Sequence, residues 1–257
     1  MTDSEFARYP SLRDRAVVVT GGASGIGASI VTHFVEQGAR VGFIDFDPDA
    51  ARALIIQLGR SAERCLFVEA DLRDIAQLRA AMTRLARELG RTPTVLVNNA
   101  ARDDRHSIDK VTPEYWDERM ATNLRHQFFS AQALTPGMVE AGAGSIINMS
   151  SMGFLLGLGG MPVYVTAKSA VIGLTRALAR DLGPHHIRVN SVIPGWIMTE
   201  RQTRLWLSPE GEKRLKQEQC IPQKLYPPDI ARMVLWLAAD DSRLVTAQSF
   251  VVDGGWT

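Results

Sequence analysis

An α/β fold, a parallel sheet covered by helices on both faces, is predicted by three features of this 257-residue sequence. Apolar, β-rich runs alternate with amphipathic stretches along the chain. The runs are continuously apolar rather than alternating, and a glycine-rich turn directly follows the first of them.

Seven runs read as strands: Ala16 to Thr20, Val41 to Asp45, Cys65 to Val68, Val95 to Asn98, Ser145 to Met149, Ile187 to Val192 and Ser249 to Val252. A strand with no polar face fits burial on both sides, as in a parallel sheet between helical layers. Helical periodicity occupies Asp74 to Leu89, Thr112 to Glu140, Val163 to Leu182 and Pro228 to Ala239. The stretch Trp196 to Pro228 is too long for an ordinary connection and contains a short helical pattern after Pro209, which predicts a lid at about 196–228. No internal repeat or low-complexity tract interrupts the pattern, so a single domain over 1–257 is expected.

Composition narrows the partners. With 29 basic and 28 acidic side chains the formal charge is +1, which leaves no field to hold nucleic acid or an anionic membrane. Cys65 and Cys220 form no metal-ligand or CxxC spacing, so no metal is expected, and both read as inert packing thiols in a reducing compartment. Met1 to Glu5 lacks the basic-then-apolar pattern of a secretory signal, and no apolar run approaches the roughly 20 residues of a membrane span, which predicts a cytoplasmic location.

After the first strand comes Thr20-Gly21-Gly22-Ala23-Ser24-Gly25-Ile26-Gly27, followed by a helical run from near Ala28. Small residues let backbone turn tightly and approach a pyrophosphate, whose charge is met by a helix N-terminus; Gly21, Ser24, Gly25, Ile26 and Gly27 are the candidate contacts. The spacing is Gly21-x3-Gly25-x-Gly27, and its place in a first βαβ unit points to a Rossmann-type, doubly wound domain. Asp45 ends the second strand 18 residues past Gly27, where a carboxylate accepts hydrogen bonds from ribose hydroxyls. A 2′-phosphate would meet like charge there, at a cost of about 1 to 4 kcal/mol at 4 Å, and nothing basic among Gly22, Ala23 and Ser24 offsets it; the expected cofactor is NAD. Asp47 precedes Pro48 and reads as a helix N-cap instead. Asp71 with Leu72 after the third strand, and Asn98-Asn99-Ala100 closing the fourth at the cofactor edge, are further cofactor candidates, Asn98 and Ala100 foremost in that run; the alternative for each is capping of a strand end.

Tyr164 and Lys168 stand four apart in a helical stretch, which puts both on one helix face, and Ser151 ends the fifth strand thirteen residues earlier. A phenol is a poor base near neutrality, but a neighbouring ammonium and a positive nicotinamide ring favour its ionised form. Tyr164 would then take a hydroxyl proton while hydride leaves the same carbon, with Ser151 donating to the reacting oxygen and Lys168 also holding the nicotinamide ribose. The alternative is a tyrosine packed on the core beside a solvated lysine.

Taken in order, Thr20-Gly21-x3-Gly25-Ile26-Gly27, Asn98-Asn99-Ala100, Ser151, Tyr164-x3-Lys168 and Pro194-Gly195 resemble the short-chain dehydrogenase/reductase family over essentially the whole chain. The resemblance implies that Asn123 completes a catalytic tetrad by holding a water beside Lys168. It also implies that Pro194, Gly195, Ile197 and Thr199 seat the nicotinamide amide, and that the protein is a homotetramer. Ala101 departs from the glycine usual in the family.

The substrate end is polar. Asp103-Asp104-Arg105-His106 follows the fourth strand, and the lid brings Trp196, Arg201 and Gln202, a set suited to a sugar or polyol; the alternative is solvated loop surface. Asp103, Arg105, Trp196 and Gln202, with Ser151 and Tyr164, are the substrate candidates, and His106 is assigned no catalytic role. Within the family, Tyr9 to Leu12, Asp103 to His106, Tyr115 to Arg119, Asn123 to His126, Pro209 to Gly211 and Asp253 to Trp256 resemble bacterial aldose 1-dehydrogenases, such as the D-xylose and L-arabinose enzymes. That implies NAD-dependent oxidation of an anomeric hydroxyl to a lactone, with L-arabinose first and D-xylose, D-galactose or L-fucose as alternatives. A carbonyl reductase or polyol dehydrogenase is the runner-up, and a catalytically silent NAD sensor on the same fold is the reading from a different class.

Overall fold

In the computed structural model, residues 6–257 are described; the Met1 to Glu5 reading lies outside them. Seven strands, β1 (Ala16–Thr20), β2 (Arg40–Asp45), β3 (Cys65–Glu69), β4 (Val95–Asn98), β5 (Gly144–Met149), β6 (Ile187–Pro194) and β7 (Ser249–Val252), form one sheet in the order β3-β2-β1-β4-β5-β6-β7. Every pairing is parallel, as the uniformly apolar runs predict. The chain builds outward from β1 to β3, then returns to the other side of β1 with β4. The resulting crevice at the carboxyl ends of β1 and β4 is where open sheets of this kind bind ligands.

The helices are α1 (Gly25–Glu36), α2 (Pro48–Leu58), α3 (Ile75–Glu88), α4 (Pro113–Met120), α5 (His126–Ala141), α6 (Pro162–Leu182), α7 (Glu200–Leu205), α8 (Pro209–Glu218) and α9 (Pro227–Ala238). One core packs Val17, Val19 and Phe43 of the sheet against Ile30, Val31 and Phe34 of α1 and Ile230 and Val234 of α9. The opposite core sets Val18, Leu96 and Ile146 against Leu78, Met82 and Leu85 of α3 and Leu134 and Met138 of α5. Alternate residues of β1 thus feed the two cores, the period-2 geometry of a strand.

Three sequence expectations shift. The glycine turn enters α1 at Gly25, with Ser24 at the N-cap, rather than near Ala28. The single helix expected over Thr112 to Glu140 is α4 and α5 joined by a π-helical turn, Ala121–Arg125. There the side chain of Asn123 accepts from Arg102 N (2.8 Å) and donates to Arg119 O (2.9 Å), tying the widened turn to the loop after β4. Cys220 is exposed rather than packed, whereas burial pushes the half-buried Cys65 thiol up to about 12 and keeps it protonated. Among the described residues no helix is long and apolar enough to cross a membrane, and no cluster of His, Cys, Asp and Glu could hold a metal ion.

Candidate active site

At the carboxyl ends of the strands lies a cleft of about 1100 Å³. One wall is the glycine turn, where Gly21 takes φ +64° and a Cβ on Gly27 would sit 1.8 Å from Gly21 O. Close approach of turn and helix therefore demands a missing side chain, and it aims the N-terminus of α1 into the cleft. Gly21, Ser24, Gly25, Ile26 and Gly27 all line it.

Asp45 reaches the same turn from β2. Its Oδ2 accepts Ala23 N at 2.9 Å and its Oδ1 accepts Phe46 N at 2.8 Å, so the carboxylate both braces the turn and faces the cleft. Burial raises its pKa and these amide donors work the other way. Asp47, as expected, caps α2, accepting from Asp49 N and Ala50 N. Asp71 and Leu72 line the cleft, but the Asp71 carboxylate is already gripped by Arg73, which also reaches Glu118 Oε1 at 2.9 Å. Arg73 and Glu118 line this end of the cleft as well and were not singled out from the sequence.

Asn98 differs from its assignment: its buried side chain donates to Gln127 O and Asn148 Oδ1 beneath the cleft and is not part of the wall. Its neighbour Asn99 carries the contact instead, with Nδ2 2.8 Å from Gly21 O and 3.2 Å from Thr20 O. His126, given no role of its own from the sequence, is fully buried with Nε2 2.9 Å from Ala100 O. Burial, and then the charge of Lys168, push its pKa down to about 3, so the imidazole is neutral.

Ser151, Tyr164 and Lys168 line the cleft together with Pro194, Gly195, Ile197 and Thr199. The α6 helix carries Tyr164 and Lys168 on one face, with Nζ 5.8 Å from the phenol ring centroid and 2.8 Å from Met149 O. Ser151 Oγ accepts Gly153 N at 3.1 Å. In the protein alone the expected acidity of Tyr164 is not present: burial raises its pKa to about 12, against a hydrogen bond with Ser151 that lowers it. Burial likewise lowers Lys168 to about 7. Lys168 stands beside the ring, and a positively charged ligand in the cleft would add to its effect on the phenol. Asn123 is fully buried behind this face; Gln127 Nε2 lies 3.4 Å from both Asn123 O and Met149 O, the carbonyl that also receives Lys168.

At the other end, the substrate candidates hold one another. Gln202 donates Nε2 to Asp103 Oδ2 at 2.7 Å and accepts Trp196 Nε1 at 3.1 Å through Oε1. Arg201 spans Asp103 and Asp104, and Asp104 also pairs with Arg102 and Arg119. Burial works to raise the pKa of Asp104, but these guanidinium groups hold it below the usual range. Arg105 stacks on Trp206 at 5.0 Å. His106 ties this loop to α6: Nε2 accepts Val163 N at 3.2 Å and Nδ1 faces Asp104 O.

A glycine turn at a sheet crevice, with a tyrosine and lysine on one helix across from it, is the arrangement of a nucleotide-linked oxidoreductase. The chain belongs to the short-chain dehydrogenase/reductase family. The family pattern described as Enoyl-(Acyl carrier protein) reductase matches residues 21–257. Members of this family work with NAD(H) or NADP(H). "Probable galactose dehydrogenase GalD" of Rhizobium meliloti (strain 1021) is 48% identical over 97% of both chains. "D-xylose 1-dehydrogenase" of Caulobacter vibrioides (strain NA1000 / CB15N) is 44% identical over 97% of this chain and 98% of its own. Among solved structures, a 3-oxoacyl-[acyl-carrier protein] reductase from Brucella melitensis ATCC 23457 superimposes with TM-score 0.90 at 32% identity, covering 100% of this chain and 98% of that one.

Proposed function

We propose that this chain is an NAD-dependent aldose 1-dehydrogenase, oxidising the anomeric hydroxyl of a cyclic sugar to the lactone. The observation that carries the reading is the meeting of Ser151, Tyr164 and Lys168 with the glycine turn in one cleft, whose far end is lined by Asp103, Arg105, Trp196 and Gln202. Relatives named for galactose and D-xylose support an aldose. L-Arabinose remains the first candidate, because L-arabinopyranose is D-galactopyranose without the exocyclic CH2OH at C5; D-galactose, D-xylose and L-fucose follow.

NAD fits the residues present: the open backbone of Gly21 to Gly27 receives the pyrophosphate, Asp45 the adenosine ribose, and Pro194, Gly195, Ile197 and Thr199 the nicotinamide amide. The dinucleotide supplies the hydride acceptor. Tyr164 takes the proton from the C1 hydroxyl, Ser151 donates to the same oxygen, and Lys168 holds the ribose and stabilises the phenolate. Asn123 acts behind them, through its carbonyl and Gln127. The segment 196–228 acts as the lid, tied to the loop after β4 through Arg201 and Gln202. Met120, Leu124, Phe128, Phe129, Ala170 and Leu174 leave an apolar groove on α4 to α6 that supports the homotetramer, which light scattering tests.

The deciding experiment is an aldose panel with NAD and NADP in parallel, read by reduced-nicotinamide absorbance. Absence of aldose turnover with good turnover of open-chain alcohols would move the reading to a polyol dehydrogenase; tight NAD binding with no turnover at all would favour a sensor. Asp45→Ala is expected to relax the preference for NAD, raising the NADP-to-NAD ratio of kcat/KM by about tenfold or more as the like-charge penalty disappears. An unchanged ratio removes Asp45 from cofactor choice.

A further inference from the structure

The segment Asp253-Gly254-Gly255-Trp256-Thr257 is folded into a hook. The buried carboxylate of Asp253 accepts Gly255 N at 2.7 Å, Thr257 N at 2.8 Å and Thr257 Oγ1 at 2.9 Å. Gly254 and Gly255 both take positive φ, +73° and +78°, and Cβ atoms there would press on Gln219 at 3.0 Å and Cys220 at 2.9 Å. The hook is sewn to the end of α8 as well: Gln219 Nε2 donates to Asp253 O, Cys220 N to Gly255 O and Ile221 N to Gly254 O. These bonds fix the backbone on both sides of Trp256, which lines the cleft.

Trp256 has company. Of the five tryptophans in the chain, Trp196, Trp206 and Trp256 line this one cleft. Two carry a guanidinium on the ring: Arg105 lies 5.0 Å from the Trp206 ring centroid and Arg214 lies 5.7 Å from that of Trp256. The Trp206 indole N–H is buried and has no hydrogen-bond partner among the described residues. Indole faces bind the C–H face of a sugar ring, while guanidinium and indole N–H groups meet its hydroxyl edge.

We infer that Trp256, presented by the Asp253 hook, and Trp206 are specificity-determining residues that contact the aldose ring in the cleft. This rests on the aldose reading above. Held by the hook and α8 rather than by the glycine turn, Trp256 contributes to sugar affinity and not to dinucleotide affinity.

The test is steady-state kinetics of the full-length protein with its best aldose. Trp256→Ala is expected to raise KM for the sugar by about tenfold with kcat changed less than about threefold and KM for NAD within about twofold, the pattern of lost binding common to ground and transition states. Trp206→Ala should behave alike, and Trp256→Phe, which keeps a ring face, should recover most of the loss. Arg214→Met leaves the indole in place and is expected to raise the sugar KM by about threefold, so the idea stays testable if an alanine variant folds poorly. A sugar KM unchanged in Trp256→Ala and Arg214→Met overturns the inference while the aldose reading stands; so does an equal rise in both KM values, the mark of a merely structural role. A wild-type protein that oxidises no aldose overturns both.

Discussion

Tyr164→Phe is expected to lower kcat for alcohol oxidation by about 10³-fold or more, the upper part of the range for losing a positioned general base, while NAD binding changes little. The substitution removes one oxygen and keeps the ring that packs 5.8 Å from Lys168 Nζ, so the helix face and the cleft wall survive. What is lost is the proton acceptor, together with its hydrogen bond to Ser151. The pH dependence of the wild type follows from the same group. A base works unprotonated, and burial raises the phenol to about 12, so in the protein alone it is protonated near neutrality. Positive charge arriving with the oxidised dinucleotide narrows that gap, and kcat/KM for oxidation should climb from pH 7 toward pH 10. Steady-state rates for both proteins check this, with dinucleotide affinity followed by fluorescence; a kcat within tenfold of wild type in Tyr164→Phe would end the assignment.

The parts of this site legible in the sequence are those fixed by local spacing. Strands showed as apolar runs because both their faces are buried, and Tyr164 with Lys168 showed because i and i+4 share a helix face. The glycine turn showed because a Cβ at Gly27 has nowhere to go. What stayed hidden depends on partners distant in the chain. Arg73 pairs with Glu118 45 residues away, and Gln202 with Asp103 99 residues away; no local periodicity carries such information. The π-turn at Ala121–Arg125 was hidden for another reason: it is held by Asn123 bonding the loop after β4 at Arg102 N, a contact that helical periodicity does not carry. Asn98-Asn99-Ala100 reads as one run at the cofactor edge, but adjacent strand-end residues point opposite ways, and only the fold decides that Asn99 meets the turn.

Lys168→Met should abolish turnover and yet stabilise the protein. Lys168 is 1% exposed and its ammonium has one hydrogen bond, to Met149 O. Burial lowers its pKa from 10.5 to about 7, so between those values the unfolded chain binds the proton that the folded chain has given up. Stability therefore rises with pH across that window, and at pH 7 and below the lysine costs on the order of 4 to 5 kcal/mol. Methionine fills nearly the same volume without the charge. Against the gain stands the Met149 carbonyl left without its lysine donor, a loss of about 1 to 3 kcal/mol. A net gain of about 2 kcal/mol raises Tm by about 4 to 8 °C for a chain of this size. Thermal unfolding at pH 6.5, without dinucleotide, should show that increase, and it should fade as pH approaches 10.5, where both states of the wild type are neutral. A Lys168→Met protein no more stable than wild type at pH 6.5, or a gain that persists unchanged at high pH, would mean that the ammonium is not the burden its burial implies. If the trade holds, Lys168 costs the folded state stability, as expected of a residue kept for the role proposed above rather than for the fold.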